Sequence, residues 1–84
     1  MVYQIEFSIQ FEKSMKKLKK KDKVLIEQIQ KKLINLVQYP DQYKPLKNIL
    51  AGYRRIHFGP FVLIYKIEED VVRIISLDHH DQSY

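Results

Sequence analysis

"YRRIHFGPFVLIYKIEEDVVRIISL", residues 53–77, contains three short stretches rich in β-branched and aromatic residues, a composition that favours strands. The three stretches are 53–58, 61–67 and 71–77. Turn signals separate them: Gly59-Pro60 after the first stretch and an acidic run, 68–70, after the second. Strands joined by such short turns pair antiparallel, so this part of the chain predicts a three-stranded meander.

The chain before residue 53 predicts one strand and two helices. Residues 2–7, "VYQIEF", alternate in the manner of a half-buried strand. Ser8 can cap a first helix, and Asp22 can cap a second helix that runs to about Gln38, just before Pro40. The helical apolar stripes are Phe11, Met15 and Leu18, then Ile26, Ile29, Leu33, Leu36 and Val37. The order β-α-α-β-β-β predicts an α+β fold, a helical hairpin packed on a small antiparallel sheet, as one domain over residues 1–84.

Composition narrows the class of protein. The chain has no cysteine, so disulfides or a zinc finger are not expected to hold it together. Its longest apolar run, 61–65, is far shorter than the ~20 residues that a bilayer requires, and its start lacks the pattern of a signal peptide. We therefore expect a soluble cytoplasmic protein with no membrane contact.

Positive charge is concentrated in one segment. The net charge is +5, and residues 13–23 hold seven lysines against one aspartate. This run is either a solvated helix face or an electrostatic footprint for a polyanion, such as RNA, DNA or an acidic protein. The two interpretations are compatible, because a basic face that attracts RNA is also solvated.

Strand alternation sorts the polar side chains onto two faces. Tyr53, Arg55 and His57 should share the face that the helices leave open, with Arg54, Ile56 and Phe58 on the other face. In the last strand the same rule puts Asp78 and His80 in phase with Val72, Ile74 and Ser76. It puts His79 in phase with Val71, Arg73, Ile75 and Leu77.

The ending "DHHDQSY", residues 78–84, has three interpretations. A metal site is disfavoured, because His79 and His80 should point apart, and Asp78 with His80 would still lack further ligands. A solvent-facing tail is the plain alternative, since chain ends often fray.

The third interpretation is acid–base chemistry on RNA. Histidine can carry protons near neutral pH, and arginine can hold phosphate oxygens in a bidentate fork. Tyrosine can stack on an unpaired base or donate a hydrogen bond. Arg55, His57, His80 and Tyr84 supply these residue types.

Residues 44–84, "KPLKNILAGYRRIHFGPFVLIYKIEEDVVRIISLDHHDQSY", resemble the second half of the RelE/ParE superfamily of toxins. The resemblance depends on the order and spacing of several short features. A Lys-Pro-Leu stretch and a glycine precede a Tyr-Arg strand, and a glycine turn and an Ile-Tyr strand follow it. An acidic hairpin then leads to a histidine-containing end with a terminal tyrosine. The first strand and "SIQFEKSMKKLKK", residues 8–20, also fit, so the resemblance covers the whole chain.

The resemblance implies a toxin of a type II toxin–antitoxin pair, inhibited by an antitoxin that wraps it. In the RelE branch it implies an enzyme that enters the ribosome and cuts mRNA without a metal or another cofactor. In the ParE branch it implies a toxin that poisons DNA gyrase and does not cut RNA. An inactive member that binds only antitoxin or RNA remains a third alternative.

Carried over residue by residue, the resemblance implies a catalytic group of Arg55, His57, His80 and Tyr84. The RNA-binding residues expected beside it are Lys13, Lys16, Lys17, Lys20, Lys47 and Arg54. Val62 departs from the pattern, because many ribonuclease members have an arginine there to stabilise the transition-state phosphate. Either Arg54, Lys47 or Lys66 supplies that charge, or cleavage is weak, or the protein acts in another way.

Overall fold

The computed structural model describes residues 3–43 and 52–79. In this part of the chain, four strands and two α-helices follow in the predicted order β-α-α-β-β-β. They are β1 (Gln4–Phe7), α1 (Ile9–Lys21), α2 (Lys23–Leu36), β2 (Tyr53–Phe58), β3 (Phe61–Glu68) and β4 (Val71–His79), with a 3₁₀ turn at Pro40–Gln42. None of the helices described is long and apolar enough to cross a membrane.

Both helix starts are fixed by the predicted capping residues. The Ser8 hydroxyl accepts a hydrogen bond from the Phe11 backbone N–H at 3.0 Å, and the Asp22 carboxylate accepts one from Leu25 at 3.0 Å. Asp22 also makes the last helical hydrogen bond of α1, from its N–H to the Leu18 carbonyl, and its φ of −149° and ψ of 87° then leave the helical range. The second helix ends at Leu36, two residues before the predicted end.

The sheet has the strand order β1-β4-β3-β2. Its β2, β3 and β4 strands form the predicted antiparallel meander. β1 instead lies parallel to β4, so the sheet is mixed rather than wholly antiparallel as expected. No tight turn joins β1 to β4, and two helices separate β1 from the meander, so turn geometry does not fix the direction of β1.

The two helices cover one face of this sheet. Ile29 and Leu36 of α2 are fully buried in the same cluster as Leu63, Tyr65 and Ile74 of the sheet. The Phe7 and Phe11 rings stack with centroids 5.3 Å apart and join β1 to α1. This cluster lies on the helix side of the sheet, while Val62 and Ile64 are buried on the face that α1 and α2 do not cover.

A β-bulge in β4 changes which side chains reach each face. Ile64 pairs with Ser76 and Tyr65 pairs with Ile74, so Ile75 has no partner of its own. The predicted phase of β4 is therefore wrong beyond Ile74: Leu77 and His79 join the helix-covered face, while Ser76 and Asp78 turn to the opposite face.

Candidate functional site

The sheet has the predicted polar face on the side away from α1 and α2, called the open face below. Its β2 residues are Arg55, paired with Ile64, and His57, paired with Val62, and cross-strand partners project from the same face. Ile56 and Phe58 point the other way into the core, which confirms the predicted alternation of β2. His57 is exposed and Arg55 is half-buried on this side of the sheet, away from α1 and α2.

Val62 lies on this face near the start of β3, between His57 on β2 and Asp78 on β4. Its side chain has no exposed area, and the neighbouring Ile64 is also buried. The position where the resemblance implied an arginine is thus a buried apolar residue flanked by a histidine and a carboxylate. The floor of the open face is apolar, and its charge comes from the surrounding residues.

Two other cations of the open face are engaged with acidic partners. Lys66 Nζ lies 3.3 Å from Glu68 Oε2 and 5.3 Å from the centre of the Tyr53 ring. Arg73 contacts Glu68 at 2.6 Å and Glu6 at 2.9 Å. Hydrogen bonds from Arg73 and then Lys66 lower the pKa of Glu68 below its usual value. Lys66, suggested as a substitute for the missing arginine, is therefore paired with a carboxylate at the other end of β3.

Arg54 faces away from Arg55 and His57, on the helix-covered side of the sheet. Its guanidinium donates a hydrogen bond to the Tyr43 backbone carbonyl. Next to it, the buried Tyr65 hydroxyl donates to the Pro40 carbonyl at 2.6 Å. Burial raises the pKa of Tyr65 to about 12, and the positive charge of Arg54 opposes part of that rise. Arg54 thus helps to fix the segment that follows α2, and its role in RNA binding stays a prediction.

The predicted lysines of α1 divide between two sides of the helix. Lys13 and Lys17 line a groove beside Asp78, at the end of β4 that β1 does not cover. Lys16 lines a different, largely apolar groove between α1 and α2. Lys20 is exposed. Only Lys13 and Lys17 of this group adjoin the open face, through Asp78.

Three predicted site residues, Lys47, His80 and Tyr84, lie outside the described residues, and their roles stay predictions. Of the predicted catalytic group, the structure brings Arg55 and His57 together on one face. Within residues 3–43 and 52–79, no three His, Cys, Asp or Glu side chains are grouped closely enough to hold a metal ion.

Sequence reasoning missed a cleft of about 230 Å³ between α1 and the ends of β3 and β4. It is lined by Ser14, Lys17, Leu18, Lys21, Phe61, Leu77, Asp78 and His79. The His79 ring meets the Phe61 ring edge-on, with centroids 5.4 Å apart. The bulge at Ile75 brings His79 to this side. The adjacent apolar residues Ile74 and Ile75, which interrupt strict alternation, are the sequence signal that could have indicated it.

The family model described as the ParE toxin of type II toxin–antitoxin systems, parDE, matches residues 5–84. The chain belongs to the RelE/ParE superfamily of toxins. This confirms the family that the sequence resembled, and the two helices on a four-stranded sheet agree with the fold expected from it.

Individual relatives agree with this assignment. The candidate toxin RelE4 of Methanocaldococcus jannaschii is 35% identical over 86 residues, which cover 99% of this chain and 92% of that protein. The toxin–antitoxin complex RelBE2 from Mycobacterium tuberculosis contains a chain similar to this one, with a TM-score of 0.77 and 26% identity over 94% of this chain and 99% of that chain. YafQ from Escherichia coli BL21(DE3) is 33% identical, with a TM-score of 0.67 and 94% of both chains covered. The matches carry both ParE and RelE names, so the choice between the two activities rests on this chain's own residues.

Proposed function

We propose that this toxin is a ribosome-dependent mRNA endonuclease that inhibits translation and is neutralised by a cognate antitoxin. One observation carries the proposal: Arg55 and His57 project from the same strand onto the sheet face that α1 and α2 do not cover. A phosphate-binding cation and a proton carrier two residues apart on a strand are two of the three groups that cutting RNA without a metal requires, and His80 is the proposed second proton carrier.

The reaction is an attack of the ribose 2′-oxygen on the adjacent phosphorus, with departure of the 5′-oxygen. A base removes the 2′-hydroxyl proton, and an acid gives a proton to the leaving 5′-oxygen, so protons balance. His57 and His80 are the two proposed proton carriers, because histidine titrates near neutral pH. Arg55 holds the non-bridging phosphate oxygens as negative charge develops on them, and Tyr84 stacks on or hydrogen-bonds to the displaced base.

Four lysines of α1, at positions 13, 16, 17 and 20, supply the sequence-independent part of RNA recognition in this proposal. Lys13 and Lys17 adjoin Asp78 at the border of the open face, and Lys16 and Lys20 extend the positive charge around the helix. Lysine contacts to phosphates bring affinity and salt sensitivity rather than sequence choice. Ribosomal RNA and mRNA are the proposed partners of this surface.

An antitoxin is the proposed protein partner. Several large apolar side chains are exposed, among them Phe7 at 44%, Ile9 at 73% and Ile34 at 66%. Phe7 also lines two grooves against the helices. Exposed apolar surface of this kind indicates a protein interface, and the net charge of +5 favours an acidic partner. The similar RelBE2 structure is itself a toxin–antitoxin complex.

Inhibition of DNA gyrase without cleavage is the second candidate. Val62 favours it, because a buried apolar residue stands where ribonuclease members often have arginine. The ParE family model also matches this chain. A supercoiling assay with purified gyrase tests this candidate directly, and inhibition without any mRNA cleavage would support it over the first.

The test of the first candidate is cleavage of mRNA in a translating extract, together with growth arrest on induced expression. We expect the wild-type chain to cut mRNA only when ribosomes are present. Arg55→Ala should reduce cleavage by about 10²-fold or more, since it removes a charge contact to the transition state. His57→Ala and the double variant His80→Ala/Tyr84→Ala should each reduce it by about 10²-fold or more.

Arg73→Ala is the matched control, because Arg73 is a cation of the same face that is paired with Glu6 and Glu68. We expect Arg73→Ala to cleave at close to the wild-type rate. Equal losses for Arg55→Ala and Arg73→Ala would mean that overall charge, and not the proposed site, supports cleavage.

A further inference from the structure

We infer that the cleft between α1 and the ends of β3 and β4 binds one unpaired nucleotide, with its base on Phe61 and its phosphate on Lys17 and Lys21. The inference rests on the proposed function, since it names a subsite for RNA beside the open face. The residues of this subsite take no part in the proposed function, except Lys17, which also belongs to the proposed RNA-binding surface.

The cleft has the two-part chemistry of a nucleotide. Its inner wall is apolar, because Leu18 and Leu77 are almost fully buried there. Phe61 is only partly buried, and its ring meets the His79 ring edge-on with centroids 5.4 Å apart. An aromatic ring beside apolar side chains is the usual platform for an unpaired base.

The outer rim of the cleft carries cations. Lys17 and Lys21 are four residues apart, so they lie on the same side of α1 about 6 Å apart along its axis. Ser14 lies about one helical turn before Lys17, and its hydroxyl adds a polar group to the rim. Two ammonium groups and a hydroxyl above an apolar wall suit a phosphate attached to a base.

Asp78 is the acidic residue among the eight that line the cleft. Its carboxylate accepts hydrogen bonds from the Gln10 amide at 3.0 and 3.3 Å, which holds it toward the start of α1. Lys17 and Lys21 together carry two positive charges against this one carboxylate.

Position also links the cleft to the open face. Asp78 pairs with Val62, which pairs with His57, so these three residues form a row across β4, β3 and β2. Asp78 lines the cleft as well as ending this row. An RNA strand lying across the row would pass from Arg55 and His57 toward α1, and its next nucleotide would reach the cleft.

The test is a titration of the ¹⁵N-labelled full chain with adenosine 5′-monophosphate, followed by NMR. We expect the amide signals of Phe61, Leu77 and His79 to shift in a saturable way. Adenosine alone and inorganic phosphate alone should each bind more weakly, because each satisfies only one half of the cleft. Equal responses to phosphate and to the nucleotide, spread over the lysines of both helices, would overturn the inference.

Two variants separate the halves of the cleft. Lys17→Ala/Lys21→Ala should weaken nucleotide binding about tenfold, since two charged contacts are lost. Phe61→Leu keeps an apolar side chain and removes the ring, and it should weaken binding roughly fivefold or more. The control Lys19→Ala/Lys23→Ala removes the same charge from exposed lysines outside the cleft, and it should bind like wild type. If the control loses as much affinity as the Lys17→Ala/Lys21→Ala variant, the cleft is not the site.

The nucleotide titration needs no ribosome, so it separates this inference from the proposed function. Binding in the cleft without mRNA cleavage would support the nucleotide site and count against the endonuclease. Cleavage without nucleotide binding in the cleft would overturn the inference and leave the endonuclease in place.

Discussion

Tyr65 joins the sheet to the segment that follows α2. Its side chain has no exposed area, and its hydroxyl donates to the Pro40 carbonyl at 2.6 Å. Arg54 holds the same segment through the Tyr43 carbonyl. These two hydrogen bonds come from residues that a sequence pattern marks only as strand, because their partners are backbone groups far away along the chain.

Tyr65 should also make the protein sensitive to alkaline pH. Burial raises its folded-state pKa from 10.0 to about 12, so the neutral hydroxyl stabilises the fold fully below pH 10. That contribution is lost as the pH rises from 10 to 12, and its full size is roughly 2–3 kcal/mol. Urea unfolding of wild type and Tyr65→Phe from pH 7 to 12 measures it.

The Tyr65→Phe variant should be less stable at pH 7 by about 1–2 kcal/mol, because the Pro40 carbonyl loses its donor. The difference in unfolding free energy between the two proteins should shrink above pH 10, because wild type loses stability as Tyr65 ionises and phenylalanine has no proton to lose. Parallel stability curves for the two proteins up to pH 12 would show that Tyr65 does not titrate as its burial requires.

At the scale of elements, Ser8 connects the start of α1 to the bulge of β4. Its hydroxyl caps α1 by accepting from Phe11 and also donates to the Ile75 carbonyl. Its backbone N–H donates to the Ile74 carbonyl at 3.0 Å. The capping role is visible in the sequence, whereas the contact with the bulge depends on the parallel pairing of β1 with β4.

Ser8→Ala should therefore cost more stability than the loss of an ordinary helix cap. We expect a loss of about 2 kcal/mol for Ser8→Ala and about 1 kcal/mol for Asp22→Ala, whose cap touches no strand. Chemical denaturation measures both values. Hydrogen exchange should be faster at residues 74–77 in Ser8→Ala only, and equal exchange there in both variants would contradict the link to the bulge.

At the scale of the whole molecule, positive charge is distributed unevenly. The chain carries a net charge of +5, and Lys13 and Lys17 lie beside Asp78 at the border of the open face. Lys66 and Arg73, by contrast, are paired with carboxylates at the far end of the same sheet face. The position of the lysines, more than the net charge, should determine how the toxin approaches RNA.

The affinity for a short single-stranded RNA should fall linearly with salt on logarithmic axes. Each phosphate contact contributes about −0.7 to that slope, so Lys13→Ala/Lys17→Ala should make the slope shallower by about 1.4. Fluorescence anisotropy from 50 to 300 mM salt (roughly the range over which such contacts weaken) measures it. Lys19→Ala/Lys23→Ala is the control of equal charge, and an identical change in slope would mean that only net charge matters.

Local residue patterns are enough to predict the order of the elements, both helix caps, the antiparallel meander and the face of β2 that carries Arg55 and His57. These features depend on interactions between residues that are close along the chain: caps reach three residues, turns two, and strand alternation repeats every second residue. The family was also evident from the sequence, because the order and spacing of these local features are what its members share.

Local patterns could not predict the direction of β1, the bulge at Ile75 or the cleft that contains His79. Each arises from contacts between segments that are far apart along the chain, such as Ser8 with Ile75 and Phe61 with His79. One unpaired residue in β4 reverses the face of every side chain after it, so strict alternation placed Asp78 and His79 on the wrong sides. Strand pairing also sets the surroundings of Val62. The sequence showed that Val62 replaces an expected arginine, but not that it is buried between His57 and Asp78.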